Sequence, residues 1–352
     1  CASGCAMRTD IRRGKTLRRL AGDDSSVNEE WNCDKGRWAF KYLTSRERIT
    51  TPMIRGADGE LHEASWPEAL AFAAAGLKAK RAAVLVGGRA TVEDAYGYSK
   101  FARVALKTND IDFRARPHSD EESSFLTSVA LGLKTTYKDI DKADQVVLLG
   151  FEPEEESPIV FLRAYKQVRK RGLKVISDAP FVSRGAAKLS AELILDISSI
   201  SGLTAKSVIL VGERLAEKTG ALSAAVKLAE TAGAKLAWIP RRAGERGALQ
   251  AGAISTLLPG GRPVSDPSAR VDVAAAWSVD SLPADVGRST SEILLALSVN
   301  NLDAVVIGGV DPLDISNTVL SQLLNSFVVS LEITHSAVTA VADVVLPVAA
   351  VV

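Results

Sequence analysis

From residue 82 onward, short aliphatic and β-branched runs alternate with stretches whose apolar residues recur every three or four positions. Val84-Leu85-Val86, followed by Gly87-Gly88, reads as a buried strand. Ala95, Tyr98, Ala102, Ala105 and Leu106 then share one face of a helix predicted over 91–107. Further strands are predicted at 146–150, 174–177, 208–211, 236–239, 304–307, 327–331 and 343–346, with a helix over 221–231. A helix over 158–171 opens on Pro158, carries Arg169-Lys170-Arg171 in its last turn and stops at Gly172. Ser65-Trp66-Pro67-Glu68 opens another: Ser65 can cap it, Pro67 suits an early position, and Glu68 stands three residues after the cap. Near-continuous apolar strands alternating with helices predict an α/β fold with a mostly parallel sheet covered on both faces.

In such a sheet, ligands bind outside the carboxyl ends of the strands. The loops there are Gly87-Gly88-Arg89, Gly150-Phe151-Glu152-Pro153, Gly212-Glu213-Arg214, Pro240-Arg241-Arg242, Gly309-Val310-Asp311-Pro312 and Glu332-Ile333-Thr334-His335, and they are expected to share one rim. Residues 147–153 and 306–312 both read as strand, glycine, any residue, acid, proline, which suggests duplication of one βαβ unit. Residues 1–50 break the pattern. They are polar, lack a long apolar period and hold the basic run Arg8, Arg12, Arg13, Lys15, Arg18, Arg19. Something other than a hydrophobic core is expected to hold them. Thr51-Pro52 and the turn Gly56-Ala57-Asp58-Gly59 mark a boundary. The expected organisation is a small domain over 1–50 and an α/β body over 51–352, divisible into halves 51–200 and 201–352.

Composition adds exclusions. Of 352 residues, 47% are hydrophobic and 24% charged, which excludes a disordered tail, a collagenous fibre and a small disulfide scaffold. With 43 basic and 42 acidic side chains, the chain makes a poor general nucleic-acid binder. The most apolar stretch, 336–352, is interrupted by Asp343 and Pro347, whereas spanning a membrane takes about 20 apolar residues. The chain starts on Cys1 and stops inside an apolar run, so both ends are expected to be cut from a longer protein.

The candidate chemistry lies in three cysteines, Cys1, Cys5 and Cys33, with none afterwards. An iron-sulfur cluster is held by four cysteines, and a structural zinc site also takes four ligands. No histidine precedes His62, so the fourth ligand is expected upstream of residue 1. Nearby basic residues favour thiolates and offset a cluster's negative charge. Iron-sulfur, zinc and three unrelated buried thiols remain open on spacing alone.

Cys1-Ala2-Ser3-Gly4-Cys5, followed by Asn32-Cys33-Asp34-Lys35-Gly36-Arg37-Trp38, resembles the iron-sulfur segment of the molybdopterin oxidoreductase superfamily, C-x2-C-x3-C-x27-C and then Lys-Gly. Residues 18–24, 31–37, 238–244, 258–263 and 342–347 resemble the G-subunit family of bacterial NADH-quinone oxidoreductase, respiratory complex I. The resemblance implies a [4Fe-4S] cluster on Cys1, Cys5, Cys33 and one upstream cysteine, with Lys35 close by as a charge partner or fold contact. It implies a scaffold role in the hydrophilic arm, on the cytoplasmic face of the bacterial plasma membrane. Other complex I subunits are the expected partners and bind NADH and quinone, so this chain meets the membrane only indirectly.

The family's catalytic members ligate molybdenum through a residue shortly after an Ala-Arg pair. Asp112-Phe113-Arg114-Ala115-Arg116-Pro117-His118-Ser119 resembles that stretch and puts His118 at the ligand position, or Pro117 or Ser119 if the register slips by one. The family's Gly-x-Asn-Pro nucleotide loops here carry Glu152 and Asp311, and Glu154, Glu155 and Glu156 crowd the first. Like charges about 4 Å apart repel by about 1 kcal/mol even in water, so a pyrophosphate is expected to be rejected. A scaffold without molybdenum cofactor is therefore expected. The rival readings are a true molybdopterin enzyme such as a formate dehydrogenase or nitrate reductase, and a zinc-stabilised interaction module.

Overall fold

Two parallel-rich sheets form in place of the single sheet expected. The computed structural model describes residues 1–351. One sheet is wholly parallel, in spatial order Lys235–Ile239, Val208–Gly212, Gln145–Leu149, Lys174–Asp178, Glu192–Ile194. The other runs Leu61–Glu63, Met53–Arg55, Val344–Pro347, Phe327–Glu332, Ala304–Gly308, Ala82–Val86, Ile111–Asp112, with its first two strands antiparallel. Ala82–Val86, Val208–Gly212 and Ala304–Gly308 are buried throughout, as strands covered on both faces must be. Their apolar runs set strand existence but not partners. Ala82–Val86 pairs with Ala304–Gly308 across most of the chain length.

The chain divides into two compact units, 1–40 with 118–243 and 41–117 with 244–351. Each joins two separated stretches, so the sequential halves 51–200 and 201–352 are not the units observed. The expected helices form at Trp66–Leu77, Val92–Val104, Pro158–Arg171 and Ala221–Ala232. Ser65 and Glu68 make the reciprocal capping box, and Gly172 ends its helix in the left-handed conformation at φ 67°.

Residues 1–40 belong to the first unit and are held by polar contacts. Met7–Arg12 and Lys15–Ala21 form an antiparallel hairpin, and Asp34–Trp38 a short helix. Asn28, 1% exposed, accepts from the Ala6 N–H at 2.8 Å. Its amide donates to the carbonyls of Trp31 at 2.8 Å, Ala6 at 3.3 Å and Gly22 at 3.4 Å. One side chain thus ties the hairpin base to the turn before Cys33. Arg163, from the Pro158–Arg171 helix, donates to the carbonyls of Ser25 and Val27, each at 2.9 Å. Tyr137 donates to the Ser3 carbonyl at 2.7 Å, and the Ser3 and Ser157 hydroxyls meet at 2.6 Å.

Candidate functional site

The hairpin base and the Asn28 turn place the cysteines. Cys5 and Cys33 are half-buried, while Cys1 is exposed with its thiol 3.4 Å from the Ser3 hydroxyl. Burial, then the influence of Cys33, pushes the Cys5 thiol up. Burial and the charge of Cys5 likewise push the Tyr137 hydroxyl up to about 12. Half-buried, Cys5 thus sits where an uncompensated thiolate charge is disfavoured. A bound cation or cluster at such a thiol would remove that penalty. Among the described residues, no three His, Cys, Asp or Glu side chains stand close enough to enclose a metal ion. Lys35 donates to the Glu155 carbonyl, joining the Asp34–Trp38 helix to the acidic loop.

The strand-end loops fall into two sets, not one rim. In the first unit the chain runs from Gln145–Leu149 outward through Lys174–Asp178, then returns to Val208–Gly212 on the other side. The order reverses between Gly150-Phe151-Glu152-Pro153 and Gly212-Glu213-Arg214, which is a topological switch point. The second unit has its own, between Gly87-Gly88-Arg89 and Gly309-Val310-Asp311-Pro312. The near-repeat takes the same shape in both. Gly150 and Gly309 have φ of 57° and 64°, Phe151 and Val310 are buried, and each acid caps a short helix begun by the next proline. A Cβ on Gly87 would overlap the Gly309 carbonyl, and one on Gly212 the Gly150 carbonyl. Close backbone packing thus accounts for these glycines without a ligand.

The acidic loop is less hostile than its sequence suggests. Glu152 accepts from the Glu154 N–H at 3.3 Å and from the Ser183 hydroxyl. Glu154 pairs with Arg184 and Lys188, Glu156 with Arg214, and Glu213 with Arg242 through two contacts of 3.0 Å. Burial, then the nearby Arg241, lowers the Arg214 guanidinium from its ordinary value. The rim carries charge of both signs, so the expected repulsion of pyrophosphate is weaker than a block of four glutamates implies.

The stretch resembling a molybdenum-ligand segment is engaged elsewhere. Arg114 pairs with Asp112 at 2.8 Å, and Arg116 with Glu245 at 3.0 Å, all four side chains being buried. Asp112 also accepts from the Thr290 N–H at 2.9 Å. Ser119 accepts from the Glu122 N–H at 3.3 Å as the cap of Asp120–Ser128. Sequence reasoning singled out this segment but missed its acidic partner Glu245, which adjoins the Arg241-Arg242-Ala243-Gly244 motif.

Glu332, at the carboxyl end of its strand in the second unit, is an overlooked titratable group. Burial pushes its carboxyl up to about 7, with Asp311 adding and Arg89 and the Ile333 N–H opposing. The buried Tyr98 hydroxyl is raised by burial, Asp94 and Glu332. A carboxyl that binds its proton more tightly folded than unfolded stabilises the fold below its unfolded value of 4.5. That stability is lost as pH rises through about 7. Between about pH 5 and pH 8 the melting temperature of Glu332→Gln should fall less than that of the parent. Parallel curves would show that Glu332 does not titrate in this range.

The molybdopterin oxidoreductase family model matches residues 48–352. The G subunit of NADH-quinone oxidoreductase from Mycobacterium bovis is 55% identical, over 99% of this chain and 46% of that protein. Its counterpart in Streptomyces coelicolor is 50% identical, over 100% of this chain and 47% of that protein. Formate dehydrogenase H of Escherichia coli is 25% identical, over 99% of this chain and 61% of that protein. Among solved structures, acetylene hydratase from Pelobacter acetylenicus has a TM-score of 0.58 at 13% identity, over 99% of this chain and 62% of that one, a likeness of fold alone. The chain spans about half the length of the two NADH-quinone oxidoreductase relatives. With the family model covering most of its length and the parallel strands in place, the chain belongs to the molybdopterin oxidoreductase family.

Proposed function

We propose that this chain is the cluster-bearing and scaffold portion of the G subunit of an NADH-quinone oxidoreductase. The observation that carries the reading is the 55% identity to such a protein over nearly the whole chain. Residues 1–40 would hold a [4Fe-4S] cluster through Cys1, Cys5, Cys33 and one further cysteine. The cluster would supply one-electron transfer. The place of Cys1, Cys5 and Cys33 in one polar segment supports this, and the Lys35 contact to Glu155 fixes the Asp34–Trp38 helix after Cys33 on the body. The parent complex would oxidise NADH and reduce quinone, with both bound mainly by other subunits of a peripheral arm on the cytoplasmic face. No helix among the described residues is long and apolar enough to cross a membrane.

The molybdenum site is proposed to be degenerate. No cysteine follows Cys33, Arg114 and Arg116 are committed to buried ion pairs, and Ser119 is a helix cap. Anaerobic purification of the full-length subunit should give a brown protein whose broad visible band dithionite bleaches. Its molybdenum and tungsten should be far below stoichiometric. A colourless zinc-loaded protein refutes the cluster, and stoichiometric molybdenum or tungsten refutes the degenerate site.

A further inference from the structure

In the first unit, the turn holding Asn28 and the Pro158–Arg171 helix enclose a groove of about 620 Å³. Trp31 lines it from the turn, and Leu162, Arg163, Tyr165, Lys166, Arg169 and Lys170 line it from the helix. Trp31 is 61% exposed and Leu162 39%, and the two line the same groove, so their apolar surface is offered side by side. Arg163 is engaged by Asp141 at 2.7 Å, and Lys166 by Glu29 at 3.1 Å. Among the described residues, Glu29 is the only acid lining the groove, and Arg169 and Lys170 form no ion pair.

We propose that this groove seats an acidic segment of a partner protein, with an apolar side chain over Trp31 and Leu162 and carboxylates against Arg169 and Lys170. The charge imbalance of the lining selects an anionic occupant. The exposed indole and leucine select one that also offers apolar surface, as a peptide does and an inorganic anion does not. Aromatic and arginine side chains together are the residue types enriched where protein partners bind. Lysine and arginine at the rim would steer an acidic segment in and fix its register. Trp31 stands two residues before Cys33, so an occupant would also clamp the turn that presents that thiol. The cluster itself is not needed for docking.

The test is photocrosslinking in cells that express the full-length subunit with p-benzoylphenylalanine at Leu162. The same residue at Val271, 67% exposed in the second unit, is the control. Mass spectrometry should map the Leu162 adduct to a segment of another protein that has net negative charge and an aliphatic or aromatic residue. Adding Arg169→Glu and Lys170→Glu should cut the adduct at least tenfold, with only a small fall in melting temperature, because both side chains are exposed and lose only their favourable place at the C-terminal end of the helix. The proposal is overturned by an adduct no stronger than at Val271, by an adduct to lipid or to a non-acidic segment, or by a yield that charge reversal leaves unaltered.

Discussion

Arg103→Ala is expected to lower the stability of the second unit by about 4 kcal/mol, through the loss of buried charge-assisted hydrogen bonds. A drop of about 10 °C in melting temperature should follow. Arg103 sits near the end of the Val92–Val104 helix and is 0% exposed. All its donors are used. Nε donates to Asn109 Oδ1 at 2.9 Å, Nη1 to Ser99 Oγ at 2.8 Å and the Gly252 carbonyl at 2.9 Å, and Nη2 to the carbonyls of Ile254 at 3.1 Å and Leu257 at 2.7 Å. None of these acceptors is a carboxylate. Burial lowers the guanidinium to about 10, so it stays protonated at neutral pH. The second unit thus holds a full cation on oriented neutral dipoles, and the cation in turn pins the loop 252–257. Truncation leaves buried carbonyls without donors and opens a cavity. Arg103→Met keeps most of the volume but none of the donors, so it should recover less than half of the loss. Full recovery by methionine in thermal melting would show that packing, not hydrogen bonding, holds the loop.

The same residue shows where sequence reasoning stops. The helix that carries Arg103 was legible from its apolar face, and the Ser65 cap and the Gly172 stop were legible from local chemistry. Each of those signals acts within a few residues. The acceptors of Arg103 are mostly backbone carbonyls some 150 residues away, and any residue type supplies a carbonyl. Sheet membership failed for a related reason. Val147, Ile209 and Val306 sit in aliphatic runs of the same kind. Such a run between helices is equally content in either sheet, so residue type does not say which one it joins. Crossover order, not local pattern, decided that Gly150 and Gly212 face one switch point and Gly87 and Gly309 another.

The candidate site divides along the same line. Three cysteines at one end identified the donors, and the acid-for-asparagine changes at Glu152 and Asp311 were visible in the motif itself. The charge around Glu152 was misjudged because Arg184, Lys188 and Arg214 come from other strand-end loops and helices. Asn28 carried no signal at all. It is an ordinary polar residue in a polar segment, and only its burial and four hydrogen bonds reveal that it organises the cysteine turn.

Cys33→Ser should remove about four iron atoms per chain from the anaerobically purified full-length subunit, one [4Fe-4S] equivalent. The melting of the α/β body should be unchanged, because residues 1–40 are held by polar contacts and lend little to either sheet's core. Iron content equal to that of the parent would refute Cys33 as a ligand. Asn28→Leu separates ligation from positioning. All three cysteines remain, but the Ala6 N–H and the Trp31 carbonyl lose a buried partner, at about 1–3 kcal/mol each. A net loss of about 2 kcal/mol makes opening of the segment roughly 30-fold more frequent. The variant should therefore assemble its cluster yet release iron to a ferrous chelator about 30-fold faster than the parent. Release at the parent's rate, with iron absent from Cys33→Ser, would leave Asn28 a mere fold contact. Faster release restored by Asn28→Asp, whose carboxylate still accepts from Ala6, would place the control of cluster lifetime in that single N–H contact between the Cys5 and Cys33 arms.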